Sequence, residues 1–283
     1  MFKQLLNLRP YSWIDLIFLG VLAKFSISSQ FIFSIKDIWF PICLLSLWFF
    51  FNILLEKKHS YSYRAKSKVI FAFLSLLISV VIGLVLNPLS LIPLTFSVIL
   101  VFFYLQKNKD KFFGSLSGLF RGLIQSCYFV YAILLYTNHI SQLTLFITLV
   151  IFLIYFARAL IGDLRDFKHN KDANKQTIPT LIGKFNSIAI IEFLLFLSAL
   201  LLSLKIYFWI TIPLILLAIS LLLFKNYYFL HQLTIITTMF FSLNLVFYFL
   251  GINLWLINLA YLGIILNMLF YPLLERKSNP DFK

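Results

Sequence analysis

Long apolar stretches follow one another through almost the whole chain, from Ser12 towards the C-terminus. Each covers the roughly 20 residues that a helix needs to cross about 30 Å of hydrocarbon. The apolar positions are continuous rather than alternating, and backbone polar groups in lipid must be satisfied within one segment, so helices are favoured over a β-barrel. The pattern therefore predicts an all-α membrane bundle that forms a single domain over residues 1–283. The nine or ten predicted transmembrane helices are 12–34, 38–56, 68–86, 89–106, 115–137, 142–161, 185–204, 206–224, 228–250 and 253–272.

The composition agrees with a membrane protein, and the distribution of charge adds an orientation. Hydrophobic residues make up 61% of the 283 positions, charged residues make up 12%, and the formal net charge is +14. With ten spans and a cytoplasmic N-terminus, every Lys and Arg except Lys24, Lys36 and Lys205 falls on the cytoplasmic side, as the positive-inside rule requires. Orientation and attraction to anionic membrane lipid account for this charge, so no nucleic-acid partner is expected. We predict an integral protein of the cell (inner) membrane with its active-site loops on the cytoplasmic side.

The stretch DLRDFKHNKDANKQTIP, residues 163–179, holds three of the ten acidic residues of the chain. If the preceding helix continues into it, Asp163, Asp166 and Asn170 lie at i, i+3 and i+7 and share one face. Such oxygen ligands suit Mg²⁺, which commonly takes one or two carboxylates plus water and substrate phosphate. The neighbouring Lys and Arg residues suit phosphate oxygens. The alternative is a solvated loop whose acids balance local bases, and spacing alone does not decide between the two.

The same stretch resembles the second aspartate-rich motif of the UbiA superfamily of intramembrane prenyltransferases, approximately D-x-x-D-x-x-x-D-x-x-A-G-x-x-T-x-P. The positions that match are Asp163, Asp166, Ala173, Thr177 and Pro179, followed by Leu181, Ile182 and Gly183 where the family commonly has Leu-Leu-Gly. Similar features elsewhere are Arg9 and Pro10 before the first span, Phe103 and Lys107 at the end of the fourth, and Arg121 in the fifth. The resemblance covers nearly the whole chain and implies a UbiA-like fold.

Several motif positions depart from the family pattern. Asn170 stands where a third aspartate is expected, and Asn174 stands where the motif has Gly. The first aspartate-rich motif, approximately N-D-x-x-D-x-x-x-D, retains Asn52, has Glu56 in place of an aspartate, and has Ser60 at its last acidic position. Fewer negative charges should weaken the binding of a second Mg²⁺. The site therefore either works with one metal ion and more Lys or Arg, or has lost catalysis.

The resemblance implies a Mg²⁺-dependent membrane enzyme that moves a polyprenyl group from its diphosphate to a lipophilic or aromatic acceptor. In such enzymes Mg²⁺ stabilises the leaving diphosphate, and a dry aromatic cavity protects the allylic cation from water. The resemblance assigns catalysis to Asp163 and Asp166, metal binding to Asp163, Asp166, Asn170 and Glu56, and substrate binding to Lys107, Arg121, Arg158 and Asn52. It also predicts that the two motifs face each other across one cytoplasmic-side cavity, on the order of 10 Å apart.

Two other functions stay open at this point. A noncatalytic relative or membrane scaffold would bind prenyl lipid without turnover. A transporter is less favoured, because intramembrane charges are few and no pair of broken helices is evident. Glu192 lies within the predicted span 185–204, either as a functional group inside the membrane or near the cytoplasmic end within reach of water. His231 has no evident partner in the sequence.

Overall fold

The computed structural model describes residues 9, 12–27, 35–59, 65–108 and 110–278, and the side chains of these residues except 35–36, 55–59, 65–68, 108 and 274–278. Helices are the only regular elements in these ranges, which confirms the all-α prediction. Twelve α-helices are described: α1 (Trp13–Phe25), α2 (Trp39–His59), α3 (Ala65–Leu86), α4 (Leu91–Leu105), α5 (Lys111–Ser115), α6 (Ser117–Leu134), α7 (Gln142–Arg165), α8 (Phe167–Asp172), α9 (Ile178–Lys205), α10 (Ile212–Leu223), α11 (Tyr227–Leu250) and α12 (Leu254–Ser278).

Six helical segments in the described part of the chain are long and apolar enough to cross a membrane, as an integral membrane protein requires. Their bounds are Val69–Leu86, Pro88–Leu105, Gln142–Arg165, Ile178–Lys205, Tyr227–Leu250 and Leu254–Leu273, and the apolar segments Trp39–Leu54 and Phe208–Leu223 are shorter. The predicted count of nine or ten is therefore not confirmed. Helix α1 has only 13 residues, and α6 includes Arg121 and Gln125 among its 18. The kind of membrane and the orientation stay predictions.

Two compact units divide the chain, and each is described by itself. The first comprises Met1–Leu94, Tyr128–Ile140 and Leu245–Lys283, and the second comprises Thr95–Cys127 and Ser141–Asn244. The single domain expected from the sequence stays a prediction.

The first unit packs α2 against α1 and α3, and α12 against α1. Polar side chains inside it find protein partners, as they must where water is absent. Tyr131 Oη donates a hydrogen bond to the carbonyl oxygen of Ser79 over 2.7 Å. Lys24, one of the three cations that the sequence does not place on the cytoplasmic side, forms an ion pair with the buried Asp37. Pairing of this kind offsets the cost of a charge within an apolar unit.

In the second unit, α7 and α9 pack along each other and α9 also packs against α10. Helix α9 begins at Ile178, seven residues before the predicted start at 185. A capping box explains the early start, because Thr177 N donates to Thr180 Oγ1 over 2.8 Å. Pro179 also suits the first turn, where the backbone N–H that proline lacks would have no partner within the helix. Gly183 then interrupts the helix with φ 85° and ψ 165°, a conformation that glycine adopts readily.

The acidic stretch continues α7 and then bends. Helix α7 ends at Arg165, four residues beyond the predicted end of the span, and Asp166 caps both α7 and α8 with φ −92° and ψ 14°. The backbone ladder persists through the bend, since Asn170 N donates to Asp166 O over 2.8 Å. Most of the polar segment 162–184, which the sequence predicted as a loop, is therefore helical.

Candidate functional site

Asp163 is the most enclosed carboxylate of the second unit among the described residues, with only 7% of its surface exposed. It lies in the last turn of α7, and Ser117 Oγ at the start of α6 donates to its Oδ2 over 3.5 Å. A contact of this length is weak. The carboxylate therefore depends on nearby positive charge rather than on this hydroxyl.

Lys107 provides part of that charge. It lies in the short 3₁₀ turn after α4, and its Nζ donates to Tyr104 Oη over 3.0 Å. Burial acts to lower the pKa of the Lys107 ammonium, but nearby oxygens outweigh it and the pKa lies above its usual value. The interacting oxygens belong to Tyr104, Asp163 and Asp166. The predicted diphosphate residue thus lies in the electrostatic field of both predicted metal ligands.

Lys175 is a second cation in the same field. Burial and repulsion by Lys107 lower the pKa of its ammonium, and attraction to Asp166 and Asp163 opposes that shift. Its Nζ also lies 3.3 Å from His169 Nε2. Two carboxylates and two ammonium groups from three segments of the chain therefore form one cluster, which we call the charge cluster: Asp163, Asp166, Lys107 and Lys175.

Asp166 has a partner that the sequence did not suggest. Arg165 forks onto its carboxylate, with Nε to Oδ1 and Nη2 to Oδ2 both at 2.8 Å. The third guanidinium contact runs from Nη1 to His231 Nδ1 over 3.1 Å, so His231 does have a partner. Asp166 lies at the bend after α7, where adjacent side chains can meet.

A row of small residues brings α6 close to α7. A Cβ added to Gly118 would lie 3.0 Å from Phe156 Cε2, and one added to Gly122 would lie 2.8 Å from the carbonyl oxygen of Phe152. Small residues four apart allow two membrane helices to approach closely. Ser117 precedes Gly118 by one position, and the close packing therefore brings it to Asp163. The spacing of the glycines was a signal for this contact, and the sequence interpretation missed it.

Gly114 joins the turn that carries Lys107 to the start of α9. A Cβ added to Gly114 would lie 2.4 Å from the carbonyl oxygen of Gln176 and 3.0 Å from that of Lys107. Both neighbours are backbone atoms, which cannot rotate away as a side chain can. The absence of a side chain at position 114 is thus required for Lys107 and Lys175 to lie near each other.

Asn174 and Asn170 are the two departures from the second motif. Asn174 has φ 51°, and Asn is among the few residues that adopt this left-handed conformation with ease. Its replacement of the motif Gly therefore preserves the turn. Asn170 is buried, 7% exposed, one helical turn after Asp166, whereas Asp172 is exposed.

The remaining predicted substrate residues lie in varied settings. Arg158 Nη1 donates to Thr238 Oγ1 of α11 over 2.9 Å, and its guanidinium lies 5.3 Å from the centre of the Tyr155 ring. Arg121 lies half-buried on α6, one turn after Ser117.

Gln125 follows one turn after Arg121 on α6 and has no exposed surface. Neither of its amide atoms has a hydrogen-bond partner among the described residues.

The first motif lies in the first unit or outside the described residues. Asn52 is 3% exposed, and its Nδ2 donates to the carbonyl oxygen of Trp48 over 2.8 Å. Its Oδ1 is buried with no hydrogen-bond partner in the described part of the chain. The side chain of Glu56 and all of Ser60 lie outside the described residues. The predicted approach of the two motifs therefore stays a prediction.

The charge cluster can bind an anion and a divalent cation together. Its two carboxylates match the number that Mg²⁺ commonly takes from a protein when substrate phosphates complete its shell. Its two ammonium groups suit phosphate oxygens. Within the described residues no group of three or more His, Cys, Asp or Glu side chains is placed to hold a metal ion. A metal ion bound here would therefore need ligands from water and substrate.

Comparisons with known proteins bear on the family and on the fold. A model of the UbiA prenyltransferase family matches residues 58–235. An apo UbiA homologue from Aeropyrum pernix K1 is structurally similar, with a TM-score of 0.62 and 14% identity over 91% of this chain and 98% of that chain. A UbiA homologue from Archaeoglobus fulgidus bound to DMAPP and Mg²⁺ has a TM-score of 0.55 and 12% identity over 94% of this chain and 98% of that chain.

A third similar structure is a digeranylgeranylglyceryl phosphate synthase, with a TM-score of 0.54 and 18% identity over 90% of this chain and 97% of that chain. No curated protein matches the sequence. At these identities the structural similarity shows the fold, and the predicted UbiA-like bundle is confirmed.

The packing at Gly114 generates a prediction about stability. Gly114→Ala should lower the free energy of unfolding by about 1–3 kcal/mol, because the new methyl group overlaps two carbonyl oxygens. Thermal unfolding of the purified protein in detergent micelles measures the change. Ser115→Ala is the matched control, since it removes only a local hydrogen bond to the carbonyl oxygen of Phe112. A Gly114→Ala protein as stable as the wild type would show that the Lys107 turn and the Gln176 segment are not in contact.

Proposed function

Because the chain belongs to the UbiA prenyltransferase family, we propose that it moves a polyprenyl group from a prenyl diphosphate to a lipophilic or aromatic acceptor in a Mg²⁺-dependent reaction. The observation that carries this proposal is the charge cluster, in which Lys107 and Lys175 interact with both Asp163 and Asp166. The DMAPP and Mg²⁺ bound by the Archaeoglobus fulgidus homologue support the same ligand class, and a second structure of that protein contains GPP and Mg²⁺.

Asp163 and Asp166 are the residues that would hold Mg²⁺, with Asn170 as a further oxygen ligand. A bound Mg²⁺ would stabilise the negative charge of the departing diphosphate. Asp163 suits this role because its carboxylate is buried and has only a long contact from Ser117. Asp166 can accept the Arg165 fork and still offer oxygen lone pairs, since an ionised carboxylate has about four acceptor sites.

Lys107 and Lys175 would bind the diphosphate itself. The contact with Tyr104 holds the Lys107 ammonium in place, so less side-chain freedom is lost when a ligand binds. Arg165 has a positioning role, because its fork fixes the orientation of Asp166. These residues together bind the leaving group and keep its charge compensated while the carbon–oxygen bond breaks.

An aromatic group next to Lys107 suits the protection of a carbocation. The ring centres of Phe103 and Phe113 are 5.4 Å apart, and Phe120 lies 5.9 Å from Phe103 and 6.2 Å from Phe113. Aromatic faces attract cations, and apolar rings exclude the water that would quench one. The three rings lie one turn before Lys107 and in the segments that follow it, and we place the prenyl chain against them.

The second candidate function is prenyl-lipid binding without catalysis. One observation favours it: the Arg165 fork takes an acceptor site on each oxygen of Asp166 and leaves fewer for a metal ion. Such a protein would keep the diphosphate contacts of Lys107 and Lys175 but would not lower the barrier to ionisation. It would bind prenyl diphosphate and leave it intact across a broad acceptor panel.

Charge removal at the two aspartates tests the proposed reaction. Asp163→Asn and Asp166→Asn should each lower turnover by about 100-fold or more, because stabilisation of the diphosphate by a metal ion contributes several kcal/mol. The measurement follows radiolabelled prenyl diphosphate into lipid product with Mg²⁺ and with EDTA. Asp172→Asn is the matched control, since this exposed aspartate lies in the same stretch. Wild-type turnover in both site variants would overturn the proposal, and binding without turnover in the wild type would support the second function.

Gln125 provides a test of where the acceptor binds. We expect its amide to pair with an oxygen of the acceptor, because the fully buried group has no protein partner among the described residues. Gln125→Leu should raise the free energy of unfolding by about 1 kcal/mol, since an unpaired buried amide is costly, and should raise KM for the acceptor more than KM for prenyl diphosphate. Gln142→Ala, at the exposed start of α7, is the control. A variant that is less stable and has unchanged KM values would contradict this placement.

A further inference from the structure

Helices α9 and α10 border a half-open cavity of about 390 Å³ within the second unit. The volume falls in the roughly 300–1,000 Å³ range typical of small-molecule sites. Six of the residues that line it are Glu192, Ala199, Ser203, Thr211, Leu214 and Ala218. No residue of the charge cluster lines it.

The sequence explains why two packed helices leave this space. The lining residues of α9 recur three or four positions apart, and those of α10 do the same, so each helix presents one face. Ala199, Ser203 and Ala218 have short side chains, whereas Phe196 and Phe208 among the lining residues are large and mostly exposed. Small residues thus leave a recess that is flanked by aromatic rings.

Glu192 gives the otherwise apolar cavity an unsatisfied polar group. Its Oε1 is buried and has no hydrogen-bond partner among the described residues. The other polar groups are satisfied locally: Ser203 Oγ donates to the carbonyl oxygen of Leu200 over 2.8 Å, and Thr211 Oγ1 donates to that of Phe208 over 2.6 Å. A buried hydrogen-bond acceptor without a donor lowers the stability of the protein. A ligand that donates a hydrogen bond to this carboxyl oxygen would remove that cost.

The depth of Glu192 limits what that ligand can be. Because Gly183 interrupts α9, the continuous helix that carries Glu192 runs from there to Lys205, within a candidate membrane span. At 1.5 Å per residue, Glu192 is about 13 Å from Gly183 and about 20 Å from Lys205. A phosphate headgroup at this depth would lose its hydration. It would also lie beside a carboxyl group, which does not attract an anion. An uncharged hydroxyl group can reach the same depth at much lower cost.

We propose that this cavity binds an uncharged lipid that ends in a hydroxyl group, such as a long-chain or polyprenyl alcohol. The hydroxyl donates to Glu192 Oε1, and the hydrocarbon chain lies against the apolar residues of α9 and α10. This site is separate from the charge cluster, and its occupancy does not rest on the proposed transferase reaction.

Photoaffinity labelling of the full chain in lipid nanodiscs tests the proposal. The probes are a diazirine-bearing hexadecanol and its methyl ether, which has the same chain but no hydroxyl donor. Mass spectrometry should find the alcohol label in peptides that carry the cavity residues of α9 and α10, with saturable labelling that unlabelled hexadecanol displaces. The methyl ether should label these peptides about fivefold less at equal concentration, the equivalent of one lost hydrogen bond.

Three substitutions at two positions separate the hydrogen bond from the shape of the cavity. Glu192→Leu should reduce alcohol labelling about fivefold and leave ether labelling unchanged, whereas Glu192→Gln keeps a carbonyl acceptor and should retain most of the alcohol labelling. Ala199→Phe should reduce labelling by both probes because it fills the recess. Equal labelling by alcohol and ether, no effect of Glu192→Leu, or labels only outside the segment 192–222 that lines the cavity would each overturn the proposal. Retained binding of prenyl diphosphate by the Glu192 variants shows that the charge cluster is intact.

Discussion

A carboxylate as enclosed as that of Asp163, 7% exposed, needs positive charge beside it, because an unpaired charge in a low-dielectric interior is costly. Two other segments of the chain provide this positive charge, through Lys107 after α4 and Lys175 before α9. The close packing of Gly114 and of the glycine row in α6 allows these segments to meet. The packing of the second unit and the chemistry of its site therefore depend on one requirement, the compensation of a buried acid.

Hydropathy predicted the elements that lie fully within lipid better than those at its boundary. The predicted spans 68–86 and 228–250 agree with α3 and α11 to within a few residues, because long apolar runs have few alternatives in a membrane. The start of α9 was missed, since it depends on a capping box and a glycine rather than on hydrophobicity. The predicted count of nine or ten spans is not confirmed, because some of the apolar runs form shorter helices in the described residues, such as α1.

The sequence predicted part of the charge cluster, and the function of the cluster stays a prediction. The family resemblance assigned roles to Asp163, Asp166 and Lys107, which the structure places in one electrostatic environment. Contacts of Ser117, Arg165 and His231 arise from tertiary packing and from the bend at Asp166, and helical periodicity contains no information on either. Asn174 illustrates the opposite case. Asn174 differs from the Gly of the motif but has the left-handed backbone conformation that Gly adopts readily. The differences that bear on catalysis are therefore the missing acidic residues.

The proposed role of the charge cluster implies metal binding that depends on the substrate. Electron paramagnetic resonance can count bound Mn²⁺, as a substitute for Mg²⁺, with and without a non-ionisable prenyl thiodiphosphate. The account predicts about one bound Mn²⁺ per chain, seen only when the analogue is present, lost in Asp163→Asn and retained in Asp172→Asn. Metal binding that is absent with the analogue, or that is unchanged in Asp163→Asn, would contradict it.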